Sequence, residues 1–388
     1  MTVSAVRPSA QPKAGEGDRI RVMLADDSVV VRGLVTRWIA EEADLELVAA
    51  VSDGALAVKC VAQVKPDVLI LDIEMPQMDG MTALPKLLAA EPGLKIIMAS
   101  TLTLGNAEIS LRAMQLGAAD YLAKPSSGRS LEASKDYRRE LMAKIRALGQ
   151  ARRRGADAAR GSAARPARGL AAAPAPRVGG LYGRAPVILR KASLLAPKVL
   201  AIGCSTGGPQ ALFEIFGELK DRVRLPILIT QHMPAKFTTI LAEHLARIAG
   251  VKAAEAQDGE PLQAGRVYVA PGEHHMIVEG AGMQAKLRLT QTPPENYCRP
   301  AVDPMFRSLA KAFGGQVLAV VLTGMGQDGL VGARFLIEAG GTLIGQDEAS
   351  SVVWGMPGAV ATAGLCSQVV SRQQMAKVIL TAAGGAAR

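Results

Sequence analysis

The segment Lys198–Pro209, which reads Lys-Val-Leu-Ala-Ile-Gly-Cys-Ser-Thr-Gly-Gly-Pro, decides the fold of the C-terminal half of this 388-residue chain. An apolar run of strand length ends there in a glycine-rich turn, and the pattern predicts a helix from Pro209 to Leu219. In this setting Gly-x-Ser-x-Gly is a nucleophile elbow, which holds the Ser205 hydroxyl at the end of a buried strand. The N–H groups at the start of the helix are oriented to stabilise an oxyanion.

Two other interpretations of this turn stay open on its residues alone. A glycine-rich turn after a strand also cradles phosphate groups or is purely structural, although this turn lacks the Gly-Lys-Ser/Thr ending of a P-loop. Cys204 is a rival nucleophile. A single cysteine is more often a small buried apolar residue, and the elbow pattern centres on Ser205.

Two further polar residues follow apolar runs of strand length. His232 ends one such run, and Asp328 lies in the glycine-rich loop after another. Because the carboxyl ends of parallel strands meet at one edge of a sheet, we expect Ser205, His232 and Asp328 to form a triad of nucleophile, base and orienting acid. Asp328 has an alternative role as the N-cap of a helix over residues 330–339. The order Ser, His, Asp disfavours the α/β-hydrolase fold, whose order is Ser, acid, His.

The first third of the chain alternates strand and helix patterns, which predicts a parallel sheet with helices on both faces. Asp26, Asp27 and Asp72 follow or end strands there and offer the oxygen ligands that Mg²⁺ prefers. Asp72 can accept a phosphoryl group as an acyl phosphate. Ser100 and Lys124, at two further strand ends, would hydrogen-bond and neutralise that group. Helix N-capping is the alternative role of the run Asp26-Asp27-Ser28.

These residues resemble the receiver domain of two-component response regulators. The matching pieces are Asp26-Asp27-Ser28, Asp72–Gly80, Ser100 and Lys124-Pro125. The resemblance implies that Asp72 is the phosphoacceptor. It implies a Mg²⁺ site of four residues, namely Asp26 through water, Asp27, Asp72 and the backbone carbonyl of Glu74. It also implies three switch residues: Ser100, Tyr121 and Lys124.

The second half resembles the chemotaxis protein-glutamate methylesterases of the CheB type. The matching motifs are Ile202–Pro209, Gln231–Pro234, Val269–Gly272 and Leu322–Gly329. The family triad corresponds to Ser205, His232 and Asp328. The resemblance also places Thr206 at the active site and makes the backbone N–H of Met325 an oxyanion donor. Residues 299–303 are similar to a family segment that usually reads Arg-Pro-Ser-Val-Asp, but Ala301 replaces its serine and receives no role.

The two resemblances imply a phosphorylation-activated serine hydrolase. Its substrates would be γ-glutamyl methyl esters and glutamines of methyl-accepting chemotaxis receptors, with methanol or ammonia as the leaving group. A chemotaxis sensor histidine kinase would donate the phosphoryl group to Asp72, and the unphosphorylated receiver would cover the active site. Mg²⁺ is expected for receiver phosphorylation, and no cofactor for hydrolysis. Two other classes stay open: a binding protein with an inactive hydrolase domain, and a response regulator with a nucleic-acid-binding output.

The composition and the apolar runs of the chain indicate where in the cell it is located. No apolar run reaches the roughly 18 to 20 residues that span a bilayer, and residues 1–17 lack the apolar core of a signal peptide. Four scattered cysteines without Cys-x-x-Cys spacing fit reduced thiols. We therefore expect a cytoplasmic protein that does not insert directly into the membrane.

The net charge of +10 is concentrated in one segment. Residues 151–198 contain nine Arg, two Lys and one Asp, so the rest of the chain is balanced. This Ala/Arg/Pro/Gly segment shows no sustained apolar period, which favours a linker over a basic arm for RNA or acidic surfaces. Aromatic residues for base stacking are nearly absent from it, and the second domain shows no helix-turn-helix pattern, so we expect no nucleic-acid partner.

The predicted fold class is α/β, with two doubly wound domains in series. The first is a five-stranded, flavodoxin-like parallel receiver, and the second is a mainly parallel α/β methylesterase domain. In the second domain, a β-hairpin region over Arg266–Thr290 is expected between the second and the final catalytic strand. The expected division is a disordered tail at 1–18, the receiver at 19–149, the linker at 150–196 and the catalytic domain at 197–388.

Overall fold

The computed structural model describes residues 19–101, 103–124, 131–163 and 187–384. The predicted N-terminal tail and residues 164–186 of the predicted linker lie outside these ranges. None of the described helices is long and apolar enough to cross a bilayer.

The N-terminal domain is a five-stranded parallel sheet with strand order β2-β1-β3-β4-β5. Its strands, β1 to β5 in chain order, are Ile20–Ala25, Leu45–Val51, Val68–Asp72, Lys95–Thr101 and Asp120–Lys124. Its helices, α1 to α5, are Val29–Ala40, Gly54–Val64, Gly80–Ala90, Leu104–Gln115 and Leu131–Ala163. This is the predicted receiver-like sheet. Because β1 lies between β2 and β3, the strand order reverses there, and ligand sites form at the carboxyl ends of strands at such a point.

Local capping leaves the acidic residues after β1 available for that site. The Ser28 hydroxyl, rather than Asp26 or Asp27, caps α1 by accepting a 3.4 Å hydrogen bond from the N–H of Val31. Asp26 instead accepts a 2.9 Å bond from the N–H of Ser28, which shapes the turn. The capping alternative for Asp26-Asp27-Ser28 is therefore confirmed for Ser28 and wrong for the two aspartates.

The C-terminal domain contains a seven-stranded sheet with strand order β14-β13-β12-β6-β7-β9-β8, in which all pairings are parallel. Its strands are β6 Val199–Cys204, β7 Ile227–Gln231, β8 Lys252–Glu255, β9 Arg266–Val269, β12 Val317–Val321, β13 Thr342–Gln346 and β14 Gln368–Val370, and β10 His275–Glu279 pairs with β11 Lys286–Thr290 in a separate hairpin. Its helices are α6 Gly208–Leu219, α7 Phe237–Ala249, α8 Val302–Phe313, α9 Leu330–Glu338, α10 Met356–Thr362 and α11 Arg372–Ala382. The predicted fold class of two parallel α/β domains is confirmed.

The strand order reverses at β6, which pairs with β7 on one side and with β12 on the other. All residues of these three strands are buried, as their continuous apolar runs predict. The loops that carry Ser205, His232 and Asp328 leave the carboxyl ends of these three neighbouring strands. The topology therefore brings the three predicted catalytic loops to one edge of the sheet.

The hairpin prediction for Arg266–Thr290 is wrong in its first part. Strand β9 at Arg266–Val269 does not join the hairpin but pairs in parallel with β7 and β8 in the main sheet. Val267, Tyr268 and Val269 are fully buried, so this short strand is covered on both faces. A four-residue apolar run does not by itself show which sheet it joins.

Helix α5 continues to Ala163, well into the stretch for which an irregular linker is predicted. Ion pairs to the N-terminal domain anchor its extension. Arg152 lies 2.8 Å from Glu91, and Arg153 lies 3.0 Å from Asp67. Part of the basic excess after residue 150 therefore pairs with acidic residues of the same chain, which a composition argument does not reveal.

The two domains are in contact. Helix α4 packs against α6 and α7. The Gln210 side chain of α6 donates hydrogen bonds to the carbonyl of Met114, at 2.9 Å, and to that of Ala118. The ring of Tyr121 on β5 stacks on Phe237 of α7, with centroids 4.6 Å apart and planes 14° apart. The N-terminal domain thus covers the carboxyl edge of the second sheet.

Candidate active site

Ser205 follows β6 on a turn that backbone contacts hold in place. Its N–H donates to the carbonyl of Thr323 at 3.0 Å, and its own carbonyl accepts from the Gln231 side chain at 3.0 Å. Gln231 also donates to the carbonyl of His232 at 3.0 Å, so one buried amide joins two of the catalytic loops. A Cβ at Gly208 would lie 2.0 Å from Oε1 of Gln231, which explains why glycine stands there.

His232 and Asp328 form the pair that the strand ends predict. Nε2 of His232 lies 2.6 Å from Oδ2 of Asp328, and the two side chains are 11% and 1% exposed. In the described part of the chain the Ser205 hydroxyl makes no hydrogen bond of its own. The structure therefore joins base and acid directly and places the half-buried serine at the neighbouring strand end.

The Asp328 carboxylate accepts several backbone hydrogen bonds from the start of α8. The donors are the N–H groups of Val302 at 2.6 Å and Asp303 at 3.1 Å, and the N–H of Gly329 adds a third bond at 2.9 Å. Burial alone would raise the pKa of Asp328. The bond and positive charge of His232, together with these N–H groups, outweigh burial and lower the pKa below its ordinary value. The carboxylate is thus held in its charged form.

The alternative role of Asp328 as the N-cap of the helix after it is wrong. The N-cap of α9 is Gly329, and the Asp328 side chain caps α8 instead. The N-cap position of α8 is Ala301, whose side chain makes no capping bond. In return, Asp303 on α8 accepts a 2.6 Å hydrogen bond from the N–H of Gly332 on α9. The two helices therefore cap each other through a pair of buried carboxylates.

Asn296 and Asp303 belong to the site but were not predicted. The Asn296 amide donates to Oδ1 of Asp328 and to Oδ2 of Asp303, both at 3.0 Å. Burial raises the pKa of Asp303 to about 6, and the negative charge of Asp328 adds to this rise. The only sequence feature that pointed to Asp303 was the family-like segment at residues 299–303, to which no role was assigned. Asn296 lies outside that segment and had no signal.

Cys298 is the third unpredicted residue. Its Sγ lies 3.3 Å from Nδ1 of His232, the ring nitrogen that does not face Asp328. Burial lowers the pKa of His232, but its interactions with Cys298 and with Asp328 outweigh burial and raise the pKa to about 10. The imidazole is therefore held between two partners that favour its protonated form.

Cys204, the rival nucleophile of the turn, is completely buried. Burial raises the pKa of its thiol far above the ordinary range. A thiol without water contact that resists ionisation is a poor nucleophile. The cysteine beside the base is Cys298, which lies 94 residues later in the chain.

Thr206 and Met325, predicted as active-site residues, both lie at the contact between the domains. The Thr206 hydroxyl donates to Asp120 of β5 at 2.7 Å. Met325 packs against an apolar cluster that contains residues of the N-terminal domain and Val353 of the C-terminal domain. The N-terminal domain thus contacts the carboxyl edge of the seven-stranded sheet beside the loop that carries Ser205.

The acidic cluster of the N-terminal domain has the predicted composition. One oxygen each from Asp26, Asp27 and Asp72 lies within 4.8 Å of the others. Nζ of Lys124 lies 2.7 Å from Asp26 and 2.8 Å from Asp72. Burial raises the pKa of Asp72 to about 6, against the lowering effect of Lys124. Three converging carboxylates fit a hard divalent cation such as Mg²⁺.

Three predicted residues of this domain remain: the switch residues Ser100 and Tyr121, and Glu74, whose backbone carbonyl is a predicted Mg²⁺ ligand. Ser100 is buried, with its hydroxyl 3.1 Å from that of Ser110. Tyr121 is buried against Phe237 of the other domain. The Glu74 side chain accepts a 3.4 Å hydrogen bond from Asn106. Of these residues, Tyr121 directly joins the two domains.

Comparison with known proteins gives matches along nearly the whole chain. A family model described as CheB methylesterase matches residues 200–379, and one described as response regulator receiver domain matches residues 22–135. A protein-glutamate methylesterase/protein-glutamine glutaminase 1 of Paramagnetospirillum magneticum is 57% identical over 365 residues, which cover 94% of this chain and 96% of that protein. This chain belongs to the CheB methylesterase family. The resemblance inferred from its motifs is confirmed.

A further relative carries the same name. A protein-glutamate methylesterase/protein-glutamine glutaminase of Azospirillum brasilense is 53% identical over 388 residues, which cover 98% of this chain and 97% of that protein. The crystal structure of the Thermotoga maritima CheB methylesterase catalytic domain is 35% identical and covers 48% of this chain and 99% of its own, with a TM-score of 0.47.

Proposed function

We propose that this chain is a phosphorylation-activated protein-glutamate methylesterase and protein-glutamine glutaminase that acts on methyl-accepting chemotaxis receptors. The observation that carries the proposal is the 2.6 Å contact between His232 and Asp328, at the sheet edge where Ser205 follows β6. A charged carboxylate behind an imidazole, beside a serine on a strand-to-helix turn, is the arrangement that acyl transfer needs.

Ser205 would attack the γ-carbonyl carbon of a glutamyl methyl ester, and His232 would take the hydroxyl proton. Because Nε2 of His232 faces Asp328, the accepting nitrogen is Nδ1. His232 would then return the proton to the leaving methanol, and water would release the glutamate from the acyl-enzyme. With a glutamine substrate the leaving group is ammonia. Asp328 would orient the ring and stabilise its charged form.

The oxyanion formed in these steps needs N–H donors. We propose that the backbone N–H of Met325 and the start of α6 supply them, since both follow strand ends next to Ser205. Thr206 would form part of the wall of the same site. No cofactor enters this scheme.

Asp72 would accept the phosphoryl group from a chemotaxis sensor histidine kinase. Asp26, Asp27, Asp72 and the carbonyl of Glu74 would hold Mg²⁺, which when bound neutralises phosphoryl oxygens. Lys124 would pair with the phosphoryl group and Ser100 would hydrogen-bond to it. The contacts of Thr206 with Asp120 and of Phe237 with Tyr121 support a receiver that covers the active site until this group is added.

We further propose that the enzyme works in the cytoplasm without a nucleic-acid partner. Residues 19–149 would form the receiver and residues 197–388 the catalytic domain. The segment at 150–196 would connect them, with α5 crossing its first boundary.

Methanol release from methylated receptor membranes tests the proposed function. The full-length enzyme, given Mg²⁺ and a small phosphodonor, should release methanol, and Ser205→Ala should reduce the rate by a factor on the order of 10⁶. Cys204→Ala is the matched control on the same turn and should keep most of the rate. Loss of activity in the control together with activity in Ser205→Ala would contradict the nucleophile assignment.

A further inference from the structure

The N–H groups at the start of α8 have acceptors that the helix itself does not supply. Its N-cap residue is Ala301, whose side chain cannot accept a hydrogen bond. The N–H of Ala301 donates to Nδ1 of His275 at 3.1 Å, and the next two N–H groups donate to Asp328. The residue after these is Pro304, which has no N–H. The start of the helix is therefore anchored on two side chains, the predicted catalytic acid and His275.

The imidazole of His275 is held in one orientation. The residue lies on β10 and is fully buried. Its Nε2 lies 3.2 Å from the carbonyl oxygen of Pro293. Because the N–H of Ala301 faces Nδ1 and a carbonyl faces Nε2, the ring carries its hydrogen on Nε2. The strand is itself fixed to α8, since the N–H of Val278 donates to the Ser308 hydroxyl at 3.0 Å.

The bond to Pro293 gives His275 a second connection to the acid. Two residues after Pro293 the chain enters the tight turn Glu295–Cys298, whose end residues exchange backbone hydrogen bonds of 3.1 and 2.9 Å. Within this turn the Asn296 amide donates to Oδ1 of Asp328 at 3.0 Å. One buried ring therefore holds both segments that donate to the carboxylate, the start of α8 and this turn.

Each oxygen of the Asp328 carboxylate depends on these segments. Oδ2, which faces Nε2 of His232, also accepts a 2.6 Å bond from the N–H of Val302, the residue after Ala301. Oδ1 accepts from Asn296. A shift in the start of α8 would therefore move Oδ2 relative to the imidazole of His232. A misplacement of about 1 Å in a catalytic constellation can cost on the order of 100-fold in rate.

We propose that His275 is a positioning residue for hydrolysis, which fixes the start of α8 and the turn and thereby holds the Asp328 carboxylate against His232. The ring acts through Asp328 and takes no part in the proton transfers. This role rests on the proposed function, because its effect is a change in the rate of hydrolysis. The hydrogen bonds of His275 do not depend on that function.

Two variants each keep one of the two bonds of the ring. His275→Asn places an amide oxygen near the position of Nδ1 and keeps an acceptor for the N–H of Ala301. His275→Gln places an amide nitrogen near the position of Nε2 and keeps a donor for the carbonyl of Pro293. The control is His274→Gln at the adjacent residue, whose Nδ1 lies 3.3 Å from the carbonyl of Gly272 in the same loop.

The test is methanol release from methylated receptor membranes by the full-length protein with Mg²⁺ and a phosphodonor. The kcat of His275→Gln should fall about 10- to 100-fold, because a buried N–H is left unpaired next to the acid. Its KM should stay within about twofold, since the lost interaction acts on the chemical step. His275→Asn should keep kcat within about threefold, because an unpaired carbonyl is tolerated more readily than an unpaired N–H. His274→Gln should match the wild-type protein.

The Asp328→Asn background shows whether His275 acts through the acid. Asp328→Asn already lacks the charged carboxylate, so adding His275→Gln should lower the rate by less than about twofold further. A purely structural role of His275 would lower the rate by the same factor in both backgrounds. Hydrogen exchange of the peptide that contains Ala301 should be faster in His275→Gln than in His275→Asn, because only the latter keeps an acceptor for this N–H.

Three results would overturn the inference: equal losses of kcat in His275→Asn and His275→Gln, the same factor of loss in both backgrounds, or a change in KM with kcat unchanged. Circular dichroism checks that each variant folds. If His275→Gln does not fold, His275→Asn still decides, because a kcat within about threefold of the wild-type value supports the inference and a larger loss overturns it.

The two proposals fail separately. If methanol is released and His275→Gln keeps its kcat, the inference fails alone. If the wild-type protein releases no methanol, the proposed function fails, and hydrogen exchange then tests the anchoring by itself. Faster exchange in His275→Gln alone supports the anchoring of α8 by His275, and equal exchange in both variants overturns it.

Discussion

The Thr206 hydroxyl donates a 2.7 Å hydrogen bond to the carboxylate of Asp120, and both side chains are buried. Thr206 directly follows the nucleophile, and Asp120 begins β5, which also carries Tyr121 and Lys124. Nζ of Lys144 lies 3.1 Å from the same carboxylate, so its charge is compensated inside the N-terminal domain. Strand β5, which ends at Lys124 beside Asp72, is thus hydrogen-bonded to the loop of the other domain that carries Ser205.

Weakening the contact between the domains should activate the enzyme without phosphorylation. Gln210→Ala removes two hydrogen bonds to the carbonyls of Met114 and Ala118 and leaves the triad intact. Each bond contributes about 0.5 to 1.5 kcal/mol, so we expect the basal rate of methanol release to rise roughly 5- to 100-fold. Gln284→Ala, on the exposed hairpin, is the control and should not change the rate. An unchanged basal rate in Gln210→Ala would show that this contact does not restrict access.

Phosphorylation should act through Asp72. Asp72→Asn should keep the full-length enzyme at its basal rate when Mg²⁺ and a phosphodonor are present, because an amide cannot form the acyl phosphate. Asp136→Asn, at an exposed position of α5, should respond like the wild-type protein. The measurement is methanol release before and after addition of phosphodonor. Activation of Asp72→Asn would mean that another residue accepts the phosphoryl group.

Asp328 should matter for the rate beyond its role as a cap. In Asp328→Asn the side-chain oxygen can still accept from α8, but the amide favours the wrong tautomer of His232, so we expect a loss of roughly 10⁴ in rate. Circular dichroism should show a folded protein. A near-normal rate of methanol release would mean that Asp328 acts only as a helix cap.

Asp303 should make stability depend on pH. Its pKa is raised by burial from 3.8 to about 6, so its contribution to stability is complete below pH 3.8 and is lost as the pH rises through 6. The wild-type protein therefore loses up to about 3 kcal/mol between pH 4 and pH 7 from this group. Asp303→Asn, which cannot ionise, should lack this loss, so its stability deficit should be smaller at pH 7 than at pH 4.

Urea unfolding followed by Trp354 fluorescence measures this difference, with Trp38→Phe in both proteins to silence the N-terminal domain. The chain contains only these two tryptophans. Equal deficits at the two pH values would mean that Asp303 ionises as it does in the unfolded chain.

The sequence determined the elements and the composition of the site. The apolar runs of β6, β7 and β12 are long enough to be buried strands, and the loops that follow them carry the predicted triad. The same logic located Asp26, Asp27, Asp72 and Lys124, which the structure brings into contact. Local periodicity is sufficient to predict these site residues, because parallel strands align their carboxyl ends at one edge of the sheet whatever the strand order.

Only the tertiary structure decided which side chains became partners. Strand β12 lies beside β6 although 112 residues lie between the end of β6 and the start of β12. This placement lets Asp328 cap α8 rather than the helix that follows it. Asn296 and Cys298 reach the acid and the base from a turn with no apolar period. The length of α5 depended on acidic partners such as Glu91. Periodicity reports burial along one element, whereas hydrogen bonds and ion pairs form between atoms that only the packed chain brings within about 3 Å.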